Sequence, residues 1–148
     1  MRWITRENAN VDRVACPWLI KRFVDPNAEF FFVPTADVMI IAERIGAIPY
    51  DVAGVELGHV DGCCSFEAIM RKYDLGDDLA LSALAQVVHA ADVDGALNQS
   101  PLGPGLKAIA KGFQDLFGQD DHRKLDVESP LYDALYEYFQ RTLNIAHQ

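Results

Sequence analysis

"WITRENANVDRVACPWLIKRFVDPNAEFFFVP" (Trp3 to Pro34) decides the fold class of this chain. Trp3 to Arg6 reads as a short strand. Asp12 is placed to cap a helix over "VACPWLIKRF", and Pro17 fits best in its first turn, where a missing N–H costs nothing. That helix stops before Asp25-Pro26. Glu29 to Val33, "EFFFV", is a dense aromatic run between Pro26 and Pro34. It is too short for a helix and reads as a buried strand.

Outward from this segment, Thr35 or Asp37 starts a helix, "ADVMIIAERIG", with Gly46 at its C-terminal end. Ile48 to Val60 is β-rich and punctuated by Pro49, Gly54 and Gly58, which fits one or two strands. Beyond it the pattern turns helical. Ser65 is the expected cap of "FEAIMRKY", and Asp77 or Asp78 that of "LALSALAQVVHAAD". Leu79, Ala83, Val87 and Ala90 give the latter an apolar stripe at helical spacing. "SPLGPG" (Ser100 to Gly105) reads as a turn before a helix from Leu106 to Phe117. Pro130 is expected to open the last helix behind Ser129 as cap, with Leu131, Leu135, Tyr138, Phe139 and Leu143 as its buried face. The expected class is α/β (α+β): a small N-terminal sheet with helices, then a mainly helical C-terminal half. No repeat, low-complexity run or linker divides it, so residues 1–148 read as a single domain.

The chain is long enough for a sizeable core. Its net charge of −9 argues against nucleic acid as a partner, since affinity for phosphate rests on Lys and Arg. The positive charge is uneven. Arg2, Arg6, Arg13, Lys21 and Arg22 crowd the first 22 residues, leaving room for a basic pocket that takes a small anion. The longest apolar stretch is broken by Pro34 and Asp37 and is too short to span a bilayer. The N-terminus lacks the order of a secretory signal. Three cysteines, two of them adjacent, do not make a disulfide framework. A cytoplasmic, reducing location is expected, with no membrane partner; the oligomeric state is not legible.

The chemistry concentrates in two blocks, "GHVDGCCSFE" (Gly58 to Glu67) and "VHAADVDG" (Val88 to Gly95). His59 sits between glycines that let other groups approach, as a metal ligand or proton-transfer group would need. The plain alternative is a loop histidine with a backbone partner. Cys63 and Cys64 precede a helix, where a thiolate is favoured. Adjacent residues in extended backbone point opposite ways, so at most one faces a site. Glu67 fits the first helical turn, either as a capping group or as a partner for His59. His89 and Asp92 share a helix face at three-residue spacing, although His89 also lies near the apolar stripe, where a histidine is commonly a satisfied core residue. Two histidines with two or three carboxylates suit Mn, Fe or Zn, and a thiolate in the shell favours Zn or Fe. Arg6 and Arg13 have guanidinium forks that match a tetrahedral oxyanion; the alternative is salt bridging within an acidic chain.

The same residues carry a resemblance. "WITRENANVDRVACPWLIKRFVDPNAEFFFVP", "GHVDGCCSFEAIMRKYDLGDDLALSALAQVVHAADVD" and the closing "SPLYDALYEYF" resemble the chromate resistance protein family, in its ChrB C-terminal domain. The resemblance implies a place in chromate resistance operons, where longer members are thought to sense chromate and regulate an efflux pump. Those members carry an additional N-terminal domain; this chain starts at "RWITR", which puts transcriptional regulation in doubt. The family pattern singles out Arg6, Asp12, Arg13, His59, Cys64, Glu67, His89, Asp92 and Asp94. The leading expectation is a divalent metal (Zn, Mn or Fe) on His59, Glu67, His89 and Asp92, with Cys64 and Asp94 in reserve. Arg6 and Arg13 would contact an oxyanion such as chromate. No catalytic residue is assigned. A metal-dependent hydrolase or redox enzyme, with Glu67 or Asp94 as base, is one rival. An oxyanion-binding module without metal is the other.

Overall fold

The computed structural model describes residues 1–146. Strand β1 (Arg2–Arg6) is central in a parallel three-stranded sheet, flanked by β2 (Glu29–Val33) and the very short β3 (Ile48–Pro49). Trp3 pairs with Phe30 and Ile48, and Ile4 with Phe31 and Pro49. Helix α1 (Asp12–Phe23) connects β1 to β2, and α2 (Val38–Ile45) connects β2 to β3. Neighbouring residues on a strand face opposite sides. Trp3 accordingly packs into the large core with α1, while Ile4 packs on the other side with Val38 and Ala42 of α2. The helical half follows as α3 (Ser65–Lys72), α4 (Leu79–Asp92), α5 (Gly103–Phe117) and α6 (Asp121–Ala146). It lies over α1, so the class is the expected α+β arrangement. Trp18 of α1 is the centre of this packing, stacked on Phe66 at 6.5 Å with its edge contacts to Phe23 and Tyr136. Burying each such ring contributes roughly 1.5–3 kcal/mol. No described helix is long and apolar enough to cross a membrane.

Several local expectations are corrected. Asp12 does not cap its own helix. It is the first residue of α1, fully buried, and α1 begins after Val11 without a side-chain cap. Pro17 lies in the second turn, inside α1. With no N–H, it leaves the Arg13 carbonyl free, and the buried Tyr50 hydroxyl donates to that oxygen at 3.4 Å. The aromatic run is an edge strand, and of its residues only Phe30 is buried. Of the one or two strands expected between Ile48 and Val60, one short one is present. Cys64, not Ser65, caps α3. Asp78 does cap α4, accepting from the Leu81 N–H at 3.0 Å. Of the expected α4 stripe, Val87 and Ala90 are buried but Leu79 is 59% exposed, and the core face adds Leu81, Leu84, Val88 and Ala91. Helix α5 begins a turn early, at Gly103, with a proline in its first turn.

The largest departure is α6, which runs straight through Pro130. Lys124, Glu128, Tyr132 and Tyr136 recur every four residues and all are buried, so one packed stripe crosses the proline. Pro130 and Asp126, whose carbonyl loses its helical donor, are both exposed, where solvent can take the missing bond. The buried face is thus built on Tyr132 and Tyr136. Tyr138 is exposed, while Leu131, Leu135, Phe139 and Leu143 are half-buried.

Candidate functional site

Arg6 ends β1 and Asp51 follows β3, so both project at the carboxyl edge of the parallel sheet, the edge at which such sheets present their sites. Asp51 is buried. The Arg6 Nε donates to the Asp51 carbonyl at 2.9 Å, and its Nη2 reaches Oδ1 at 3.4 Å. The Arg13 Nε lies 3.6 Å from Oδ2. Most of the Arg13 fork is turned to backbone: it donates to the carbonyls of Arg6, Glu7 and Asn8 at 3.2, 3.1 and 3.4 Å, closing the loop between β1 and α1.

The loop after Asp51 carries His59. Its backbone passes so close to itself that a Cβ on Gly58 would meet the Val52 carbonyl at 2.6 Å, which only glycine avoids. His59 thereby faces three carboxylates. Its Nε2 is 3.0 Å from Asp92 Oδ2, 3.4 Å from Asp51 Oδ1 and 3.7 Å from Asp12 Oδ2. Asp12 also holds the backbone of another element. It accepts from the N–H groups of Ser65 (2.7 Å) and Phe66 (3.0 Å), which caps α3, and from the Cys16 thiol at 3.3 Å.

These charges hold one another in unusual states. His59 is raised to about 9, first by the facing Asp12 carboxylate, then by the charges of Asp51 and Asp92, with burial opposing. Asp92 is nearer, but burial and the neighbouring Asp12 and Asp51 push it up to about 7, so part of its charge is quenched. Asp51 rises to about 6, through burial and then Asp12, with Arg6 and Arg13 opposing.

A second group lies apart. Cys64 and Glu67 form the capping box of α3, and His89 reaches them from the last turn of α4. The Glu67 Oε1 accepts from the Cys64 N–H at 3.0 Å and from its thiol at 3.2 Å, and lies 2.6 Å from His89 Nδ1. Burial, then the charge of Asp12, pushes the Cys64 thiol far up. Cys63 turns the other way, toward Arg71.

The four residues expected as one metal shell are therefore placed in two trios among the described residues. His59 and Asp92 stand with Asp12, and Glu67 and His89 stand with Cys64; within each trio, one donor atom per residue lies within 4.8 Å of the others. His59 and Asp92 of the first trio line a pocket of about 620 Å³ together with Arg6, Arg13, Asp51, Asp94 and Lys107, while Asp12 is fully buried. Asp94 belongs to neither trio but faces this pocket. A somewhat larger groove, about 660 Å³, runs between α1, β2 and α6 and touches neither trio.

The family model for the ChrB C-terminal domain matches residues 3–139. The chain belongs to this family. Protein ChrB of Cupriavidus metallidurans is 34% identical to it over 140 residues, which are 93% of this chain and 40% of that protein. The chain thus spans well under half the length of that relative. No solved structure matches it.

In this ChrB-family chain the sequence reading missed Asp51 and Lys107. Asp51 had one legible signal: it lies two residues past a strand of the parallel sheet, as Arg6 ends one. Lys107 had none, since nothing near it in sequence carries site chemistry.

The cluster sets a pH dependence. His59 binds its proton more tightly when folded, so its stabilisation is complete below its ordinary 6.5 and drains away as pH rises to about 9. Asp51 and Asp92, raised from 3.8, keep protons that the unfolded chain has lost, so their ionisation below about 7 costs stability in the same direction. With a chelator present, thermal midpoints should fall from pH 6 to pH 9, and His59→Ala should flatten the fall above pH 7. An unchanged slope in that variant would mean His59 is not held by its carboxylates.

Proposed function

We propose that this ChrB-family chain is a cytoplasmic metal-binding module of chromate resistance, with a divalent cation on Asp12, His59 and Asp92 and an oxyanion such as chromate against Arg6, Arg13 and Lys107. The observation that carries the reading is the crowding of three buried or half-buried carboxylates on one imidazole, beside a pocket with cations on its wall. Burial and then mutual repulsion lift two of those carboxylates, and a dication taking the place of the His59 proton relieves the repulsion. Two carboxylates with one imidazole nitrogen suit Mn²⁺ or Fe²⁺ better than a softer ion. The fixed arginines, tied to Asp51 and to backbone, offer an oxyanion a preformed wall. The acidic balance of the chain makes nucleic acid an unsuitable partner for it.

A second reading, an oxyanion module without metal, draws on His59 itself. Raised to about 9, it is a cation at neutral pH beside Arg6 and Arg13. Thermal unfolding separates the two. A ligand at a hundred times its dissociation constant stabilises by about 2.7 kcal/mol. Mn²⁺ is expected to raise the midpoint, and sulfate, a redox-inert analogue of chromate, to add to it in wild type but not in Arg6→Ala. Stabilisation by sulfate alone would overturn the metal and leave the second reading.

A further inference from the structure

We propose that Cys64, Glu67 and His89 form a second divalent-cation site, separate from the His59 pocket and suited to a borderline ion of the Zn²⁺ class. Capping alone does not call for a cysteine at the start of α3, because hydroxyl, amide and carboxylate side chains are the effective caps and sulfur is a weak acceptor. Yet the fully buried Cys64 thiol, the Glu67 carboxylate and an imidazole delivered from a different helix all converge on one oxygen, at 3.2 and 2.6 Å from Glu67 Oε1. One sulfur, one oxygen and one nitrogen donor lie within 4.8 Å of one another.

Donor chemistry separates this trio from the first. A thiolate in the shell selects Zn²⁺ over Mn²⁺, whereas the His59 trio offers no sulfur. The sites also open differently. Glu67 lines a cleft of about 450 Å³ between α3 and α4, together with Met70, Arg71 and Ser82, and this cleft shares no lining residue with the His59 pocket. Three protein ligands, with Glu67 on the wall of a cleft, leave a fourth position for water, the open arrangement of zinc. On binding, the Cys64 S–H bond breaks, its proton passes to water, and a sulfur–metal bond forms; no oxidation state changes.

Co²⁺ is the probe, because thiolate ligation gives a near-ultraviolet charge-transfer band. Titration of the reduced full chain is expected to produce that band, and added Zn²⁺ to remove it. Cys64→Ser should lack the band, while Cys16→Ser, Cys63→Ser and His59→Ala keep it. Glu67→Gln preserves the capping oxygen and hence the fold, but should weaken Co²⁺ at least about tenfold, so the test survives if Cys64→Ser does not fold. No band in wild type, an unchanged titration in Glu67→Gln, or loss of the band in His59→Ala would each overturn the proposal of a separate site.

Discussion

Replacing Asp12 with alanine is expected to destabilise the fold by about 3–5 kcal/mol, the cost of removing one partner from a buried charged network. Asp12 is fully buried, and its two oxygens satisfy the first two N–H groups of α3, at Ser65 and Phe66, which are buried themselves. Alanine strands both donors where no water reaches them. It also removes a carboxylate from His59 and the acceptor of the Cys16 thiol. Asn provides a graded control: its single carbonyl oxygen can serve one of the two N–H groups, so Asp12→Asn should fall between wild type and Asp12→Ala. Urea unfolding measures this, with the midpoint moving and the slope unchanged. A loss under about 1 kcal/mol for alanine would show that α3 finds another cap.

The second large effect is at Lys124. This residue is fully buried in α6, a setting lysine tolerates only when paired. Its Nζ donates to the Ala9 and Gly118 carbonyls at 2.8 and 2.9 Å and lies 3.0 Å from Asp121 Oδ1. Asp121 in turn accepts from the N–H groups of Asn8 and Ala9 at 3.0 and 2.6 Å. The pair fastens the loop after β1, which Arg13 closes from its other side, onto α6. Lys124→Met keeps the stem but leaves two carbonyls unpaired and Asp121 without its counter-charge. It also removes the cation that opposes the burial raising Glu128 to about 7. The expected loss is about 3–5 kcal/mol. Amide exchange at Asn8 and Ala9 should quicken by more than the global loss alone requires. Uniform quickening across the chain would place the effect elsewhere.

The legible parts of the fold were those fixed by local chemistry. The spacing of prolines bounded β2, Gly46 ended α2 in a left-handed conformation, and Asp78 capped α4. What failed was settled by other elements. Asp12 looked like a cap for its own helix because only the folded chain brings α3 onto it. Pro130 looked like a helix start because a stripe containing Lys124 and Glu128 does not read as buried; Lys124 is held there by the carbonyl of Ala9, far away in sequence. Tyr138 lost its place to Tyr132 and Tyr136 for the same reason.

The donors that the structure gathers were legible as residues but not in their partition. His59, Glu67, His89 and Asp92 come in two sequence blocks, but each block contributes to both trios: His59 pairs with Asp92, and Glu67 with His89. Spacing within a block cannot reveal such a crossing. Arg6 and Arg13 were named as anion contacts, and both line the His59 pocket, yet their bonds to Asp51 and to backbone carbonyls follow from the sheet edge, which the sequence does not display.

A metal on the His59 trio is tested most directly by the metal content of untagged protein after equilibrium dialysis against Mn²⁺. The comparison is between Cys64→Ser and the same chain also carrying His59→Ala and Asp92→Asn. A stoichiometric excess of Mn²⁺ is predicted in the chain that keeps His59 and Asp92. Equal metal in the two chains, both folded, would contradict a metal at this trio.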